Sequence, residues 1–256
     1  MGKKVLGAQL YTVRESTKTI EGVAETFKKI RKIGYEVIQI SSFGKVDPKE
    51  VGRLVKDNGL TVAITHMGWQ RFKDELDAVI EEHKLWGCRH SAVGGVPHDY
   101  FTADGLKKFV DELGPIAEKL NKAGIDFSYH NHNMEFVKIG KKTWLETLLD
   151  TAPASVLNAE LDTYWVQAGG GDPAWWIRRC RGRIPVLHVK DMGIKPLREQ
   201  VYTPIGEGNL NWPEILKAAK ESGVEYYLVE QDCCYDADPF ECLAVSYRNM
   251  KAMGLE

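Results

Sequence analysis

The sequence predicts an α/β protein folded as a single (β/α)8 barrel. Three observations carry this. Short apolar runs alternate with longer amphipathic ones along all 256 residues. Glycine repeatedly stands between a helical run and the next apolar run, the place of a left-handed helix C-cap. Eight strand–helix pairs of about 32 residues each fill the chain, and that number and length suit a closed parallel barrel better than an open sheet.

The elements follow in order. Val5–Val13 is read as a strand and Thr19–Ile33 as a helix closed by Gly34. Tyr35–Ser41 is a strand, and Pro48–Asn58 is a helix with proline at a favoured first-turn position, closed by Gly59. Leu60–Met67 is a strand, Phe72–Trp86 a helix closed by Gly87, and Ser91–Gly94 a short strand. Thr102–Ala123 is helical with a bend expected at Gly114–Pro115, and Gly124 closes it. Ile125–His132 is the fifth strand. The second half continues with a helix at Thr143–Thr151, a strand at Val156–Trp165 and a helix at Asp172–Arg181, where Asp172 caps and Pro173 opens the first turn. Pro185–Asp191 is a strand, Asn211–Ser222 a helix capped by Asn211, Val224–Asp232 the last strand and Asp238–Met253 the last helix. No Pro/Ser-rich linker interrupts the pattern, so one domain over residues 1–256 is expected. A dinucleotide-binding open sheet is disfavoured, because no GxGxxG follows the first strand and Gly169-Gly170-Gly171 comes after the sixth without a phosphate-loop pattern.

Composition narrows the partners. A net charge of −2 advertises no basic surface, so nucleic acid is not expected to bind. No window approaches the ~20 apolar residues of a membrane span, and MGKKVLGAQLYTV has no signal-peptide pattern. The five cysteines match neither a zinc motif nor CxxC, so reduced thiols in a cytoplasmic protein are expected. A symmetric homo-oligomer is compatible with all of this.

Barrel enzymes place their chemistry at the C-terminal ends of the strands, and here those ends are polar. Strand five runs into YHNHNME, where alternation puts Ser128, His130 and His132 on one face. Strand six carries Glu160 and Asp162, strand seven His188 and Lys190, and strand eight Glu230 and Asp232; His66 ends strand three. Ionised carboxylates pointing into a barrel repel one another and need a compensating cation. A divalent metal supplies one, and a mixed His/Asp/Glu set suits Mn2+, Mg2+, Co2+ or Zn2+ without choosing among them. Each residue singly has a plainer reading: Asp162 as a loop cap, His188 as a core histidine, Glu230 as a partner of Lys190.

The motifs THMGW at 65–69, YHNHNMEF at 129–136, ELDTYW at 160–165, LHVKD at 187–191, GEGNLNW at 206–212 and LVEQD at 228–232 make the chain resemble the xylose-isomerase-like TIM barrels. These comprise sugar phosphate isomerases/epimerases, with inosose dehydratases and the endonuclease IV fold as relatives. The resemblance implies metal ligands at Asp162, His188 and Glu230. It puts His130 where ketose epimerases have a glutamate, a pattern closer to the dehydratase branch; His132 and Glu135 stay open as alternatives for that ligand. Trp165 stands where some relatives have a further histidine, which counts against a multi-metal nuclease site.

The activity expected is isomerisation or epimerisation of a small carbohydrate or cyclitol through an enediolate. An inosose-dehydratase-type lyase is the second reading and a phosphodiesterase the third. Glu230 would be ligand and base. Glu135, His66, His132 or Lys190 would be the other proton carrier. Lys190 has a structural alternative as a partner of Asp162 or Glu230. Glu207 in Gly206-Glu207-Gly208 would reach over the pocket or sit in a solvated turn, and Trp69 and Trp165 would wall a sugar ring or belong to the core.

Overall fold

The computed structural model describes residues 5–255. Eight parallel strands close into a barrel in which each neighbours the next in sequence and the last pairs with the first. They are β1 (Val5–Gln9), β2 (Val37–Ile40), β3 (Thr61–Met67), β4 (His90–Val93), β5 (Asp126–His130), β6 (Asn158–Asp162), β7 (Val186–Val189) and β8 (Tyr226–Val229). Among the described residues ten α-helices surround it: α1 (Ile20–Ile33), α2 (Pro48–Asp57), α3 (Trp69–Asp74), α4 (Leu76–Trp86), α5 (Ala103–Lys122), α6 (Trp144–Thr151), α7 (Thr163–Ala168), α8 (Pro173–Arg179), α9 (Trp212–Ser222) and α10 (Pro239–Ala252).

Most of the core lies between strands and helices, where Leu6, Phe27, Ile38, Val62 and Leu120 are buried. A small inner cluster including Val37, Ala92, Val186 and Leu228 fills the barrel. The layer above it is polar and carries the site. Local chemistry sets the helix ends: Thr19, Thr102 and Thr143 accept hydrogen bonds from the N–H groups of Gly22, Gly105 and Glu146, satisfying donors the first turn leaves free.

Several expected elements differ. The first strand stops at Gln9, whose side chain accepts from Tyr11 N–H, and Leu10–Ser16 is a 3-10 turn. The helix expected at Phe72–Trp86 is two helices, α3 and α4, joined at Glu75. Strand five ends at His130, so His132 lies beyond it. The sixth strand ends at Asp162 because its carboxylate accepts Trp165 N–H at 2.9 Å and starts α7; Trp165 is therefore helical, not extended. Past β7 the chain makes an antiparallel hairpin, Asp191–Lys195 with Glu199–Thr203, where a plain loop was expected.

Asp191 anchors the segment after that hairpin. Its buried carboxylate accepts from the backbone N–H groups of Met192 (2.8 Å), Gly206 (2.8 Å), Gly208 (3.2 Å) and Leu210 (3.3 Å) and from Trp212 Nε1–H (2.7 Å). Gly208 is required here, since a Cβ would lie 2.5 Å from Asp191 Oδ1. Asp191→Asn replaces one acceptor oxygen with a donor facing N–H groups. We expect it to cost about 2–3 kcal/mol, the worth of hydrogen bonds to a charged group, read from the shift in urea midpoint.

Candidate active site

The ends of β5 to β8 converge under a cavity of about 590 Å3. Strand register sets the convergence. His130 pairs with Glu160, Asp162 with His188, and His188 with Leu228. Glu230, two residues past Leu228, points to the same face. His130, Asp162, His188 and Glu230 are buried, and each offers one ligand atom within 4.8 Å of the others. A second set, His66, His130, Glu160 and His188, shares two of these residues and the same spacing.

The charges of this cluster are interlocked. Lys190 Nζ is buried 2.9 Å from Asp162 Oδ2, 2.8 Å from Glu230 Oε2 and 3.0 Å from Asp232 Oδ1. Burial disfavours its charge, but the three carboxylates overcome that and hold the ammonium protonated well above the usual lysine range. His188 faces Glu230 through Nδ1 at 3.0 Å and Gln39 Oε1 through Nε2 at 2.6 Å, with Glu160 Oε1 also 3.0 Å away. Against burial, Glu160 and Glu230 raise it to about 10 in the metal-free protein. Burial pushes Asp162 up to about 6, with Lys190 opposing. Glu230 is driven the other way: Lys190 and His188 outweigh burial and hold it well below the carboxylate range.

The residues fit a divalent cation. His130 Nδ1 has no hydrogen-bond partner, and Asp162 Oδ2, though close to Lys190 Nζ, has no aligned donor. Buried polar atoms left in this state are costly. Four acids, Glu160, Asp162, Glu230 and Asp232, face two cationic groups, Lys190 and His188, so charge balance still leaves room for a divalent cation. Asp162 Oδ1 is spent on capping α7, and Oδ2 remains for the cluster.

The other candidates divide. His66, His132, Trp165 and Lys190 line the cavity. His66 Nε2 is 2.6 Å from Glu160 Oε2, and its ring stacks on His188 with centroids 5.2 Å apart. Trp165 stands 5.3 Å from His132. Glu135 does not line the cavity. It is buried, and its oxygens accept from Tyr129 OH and His132 N–H, both at 2.8 Å, so it braces the turn that carries His130 and His132. Trp69 packs among Phe72, Phe109 and Phe127 and donates to Tyr100 OH, which makes it core. Glu207 accepts from Asn249 Nδ2 at 2.9 Å and does not line the cavity, because Asp191 draws its turn down.

Sequence reasoning passed over Tyr202, which the hairpin brings into the cavity wall, and gave no role to Glu160 or Gln39. Glu160 had a usable signal, since it shares a strand face with Asp162. Tyr202 had none beyond its residue type.

His132 is pushed down to about 4, first by burial and then by Lys190. Its depressed value means that protonation favours the unfolded chain as pH falls from about 6.5, the ordinary histidine value, through 4. In the metal-free protein its ring is expected to stay neutral from pH 7 to about pH 5, read from imidazole 15N shifts.

The family described as xylose isomerase-like TIM barrel matches residues 27–233. The chain belongs to this family. Among solved structures it is similar to a sugar phosphate isomerase/epimerase from Parabacteroides distasonis, at 24% identity and TM-score 0.79 over 99% of this chain and 95% of that one. It also resembles an L-ribulose 3-epimerase, at 18% identity and TM-score 0.77 over 100% and 95%. Among curated proteins, an inosose dehydratase of Bacillus thuringiensis (strain Al Hakam) is 22% identical over 55% of this chain and 52% of its own length. An inosose dehydratase of Bacillus anthracis is 23% identical over the same shares. The chain spans about half the length of these curated relatives. Among the described residues no helix is long and apolar enough to cross a membrane.

Proposed function

We propose a metal-dependent enzyme that moves a proton at the carbon next to a carbonyl in a carbohydrate or cyclitol, giving isomerisation or epimerisation. The observation that supports it most is the set of four ligand atoms within 4.8 Å at the floor of a cavity lined by histidines. His130, Asp162, His188 and Glu230 would hold the ion. A divalent cation beside a carbonyl stabilises the negative charge that develops when the neighbouring proton leaves.

The chain's own residues do the rest. His132 lines the cavity with its ring neutral, the form that can accept a proton, and burial and Lys190 keep it a weaker base than an ordinary histidine. His66 is oriented by Glu160 behind it and offers a second imidazole on the other wall of the cluster. Glu230 is too weakly basic between Lys190 and His188 to act as the base and serves as a ligand. Lys190, kept charged, holds Asp162, Glu230 and Asp232 in place rather than removing protons.

Dehydration of a keto-cyclitol or keto-sugar is the second reading, favoured by the inosose dehydratase relatives and by histidine at the end of β5. Incubation with metal and a panel of keto-sugars and keto-cyclitols in D2O separates the two. Deuterium entering next to the carbonyl without loss of water marks the isomerase, and loss of water marks the lyase. Turnover that depends on added NAD, or persists after chelation, contradicts both. His132→Phe is expected to slow either outcome ~100-fold or more.

A further inference from the structure

Beside the main cavity lies a second lobe of about 300 Å3 at the ends of β2 and β3. The two spaces share Ser41, Ser42, His66, Met67 and Gly68, so they adjoin at His66. Apolar side chains form much of the lobe's wall: Ile40, Phe43, Val46, Val51 and Trp86. Trp86 spends its indole N–H on Pro48 O at 3.0 Å and leaves its ring as apolar surface. The loop over the lobe is already tied down. Gly44 N–H donates to Thr17 O at 3.0 Å, and a Cβ at Gly44 would lie 2.0 Å from Lys18 O.

Two of the three lysine and arginine side chains lining these spaces are taken up by carboxylates. Arg71, in the lobe, donates through Nε to Glu75 at 3.0 Å and through Nη1 and Nη2 to Glu82 at 3.1 and 2.9 Å. In the main cavity Lys190 is held by three carboxylates. Arg14 donates Nη1 to the carbonyls of Tyr11 and Asp232, each at 3.0 Å. Glu82, Glu230 and Asp232 place acids on the same walls. A phosphate is recognised by arginine or lysine donors free to meet it; Lys190 and Arg71 are taken up by carboxylates, which among the described lining residues leaves only the remaining donors of Arg14. The size is also generous: cavities of about 300–1,000 Å3 take drug-sized ligands, more than one sugar ring needs.

We propose that the substrate is an unphosphorylated keto-sugar or keto-cyclitol bearing a second, apolar ring, and that this ring occupies the lobe lined by Phe43, Val46 and Trp86. The proposal rests on the carbohydrate reading above. The carbonyl end lies toward His130 and Glu230, and the link between the rings passes His66.

Binding tests it without turnover. Metal-loaded protein is titrated calorimetrically with phenyl glucoside, methyl glucoside and glucose 6-phosphate. Phenyl glucoside should bind about tenfold tighter than methyl glucoside, from the apolar surface it buries. Val46→Phe, which fills the lobe, should remove that advantage and leave methyl glucoside affinity unchanged. Three results would overturn the proposal: no phenyl preference in the wild type, a preference that survives Val46→Phe, or glucose 6-phosphate binding tightest and losing that advantage in Arg14→Gln. Deuterium exchange into simple keto-sugars would persist under any of these, so the failure of this inference and that of the proposed reaction are distinguishable.

Discussion

Glu230→Gln should reduce bound metal sharply and slow deuterium exchange next to the carbonyl at least ~100-fold, with the circular dichroism spectrum retained. The reason is charge and contact together. Glu230 Oε2 lies 2.8 Å from Lys190 Nζ and 3.0 Å from His188 Nδ1. Glutamine keeps one oxygen but no charge, so the cluster loses a ligand anion and one of the three carboxylates around Lys190. Asp162→Asn should lower metal content likewise, because Asp162 Oδ2 has no aligned donor of its own. Its Oδ1 cap on α7 survives in asparagine, so the fold should hold. Metal analysis after dialysis, one variant at a time, gives the stoichiometry. Wild-type metal content in both variants would show that the ion, if any, sits elsewhere, with the overlapping set His66, His130, Glu160 and His188 the next place to look.

The barrel was legible because its signals are local and repeated. Glycine at positive φ follows helices at Gly34, Gly87 and Gly223, where a backbone of that shape suits glycine. Strand alternation likewise put His130, Asp162, His188 and Glu230 on inward faces, and the structure brings those four together. What escaped depends on tertiary placement. The hairpin after β7 contains Pro196 and an almost fully exposed Leu197, which erase its periodicity. Tyr202 reaches the cavity only through that hairpin. Glu207 was expected near the pocket from a flexible Gly-Glu-Gly turn, but five donors to Asp191 fix the segment elsewhere. For Trp69 residue type could not separate cavity from core, since an aromatic ring serves both. Glu135 stands near the site in sequence, yet its oxygens are turned to Tyr129 and His132.

The buried ammonium of Lys190 raises a sharper question, whether the protein's own cation or a metal balances the acids. Lys190→Met keeps the volume and removes the charge. Glu160, Asp162, Glu230 and Asp232 are then left with His188 as their nearest positive group, and breaking a buried pair by removing one partner costs about 3–5 kcal/mol. For a chain of this size that lowers the thermal midpoint by about 10 °C. The loss should depend on pH with a definite sign. Asp162 already sits near 6 in the wild type because of burial, with Lys190 pulling it down. Without the lysine its value rises further, and a carboxylate raised in the folded state gives up stability as pH increases through that value. The deficit of Lys190→Met should therefore be smallest near pH 5 and grow toward pH 8. Saturating divalent metal should restore part of the lost midpoint, because a ligand that binds only the folded state stabilises it, and the variant should gain more from metal than the wild type does. A variant destabilised equally with and without metal would mean that lysine alone balances these carboxylates, and the proposed metal-dependent chemistry would fall with it.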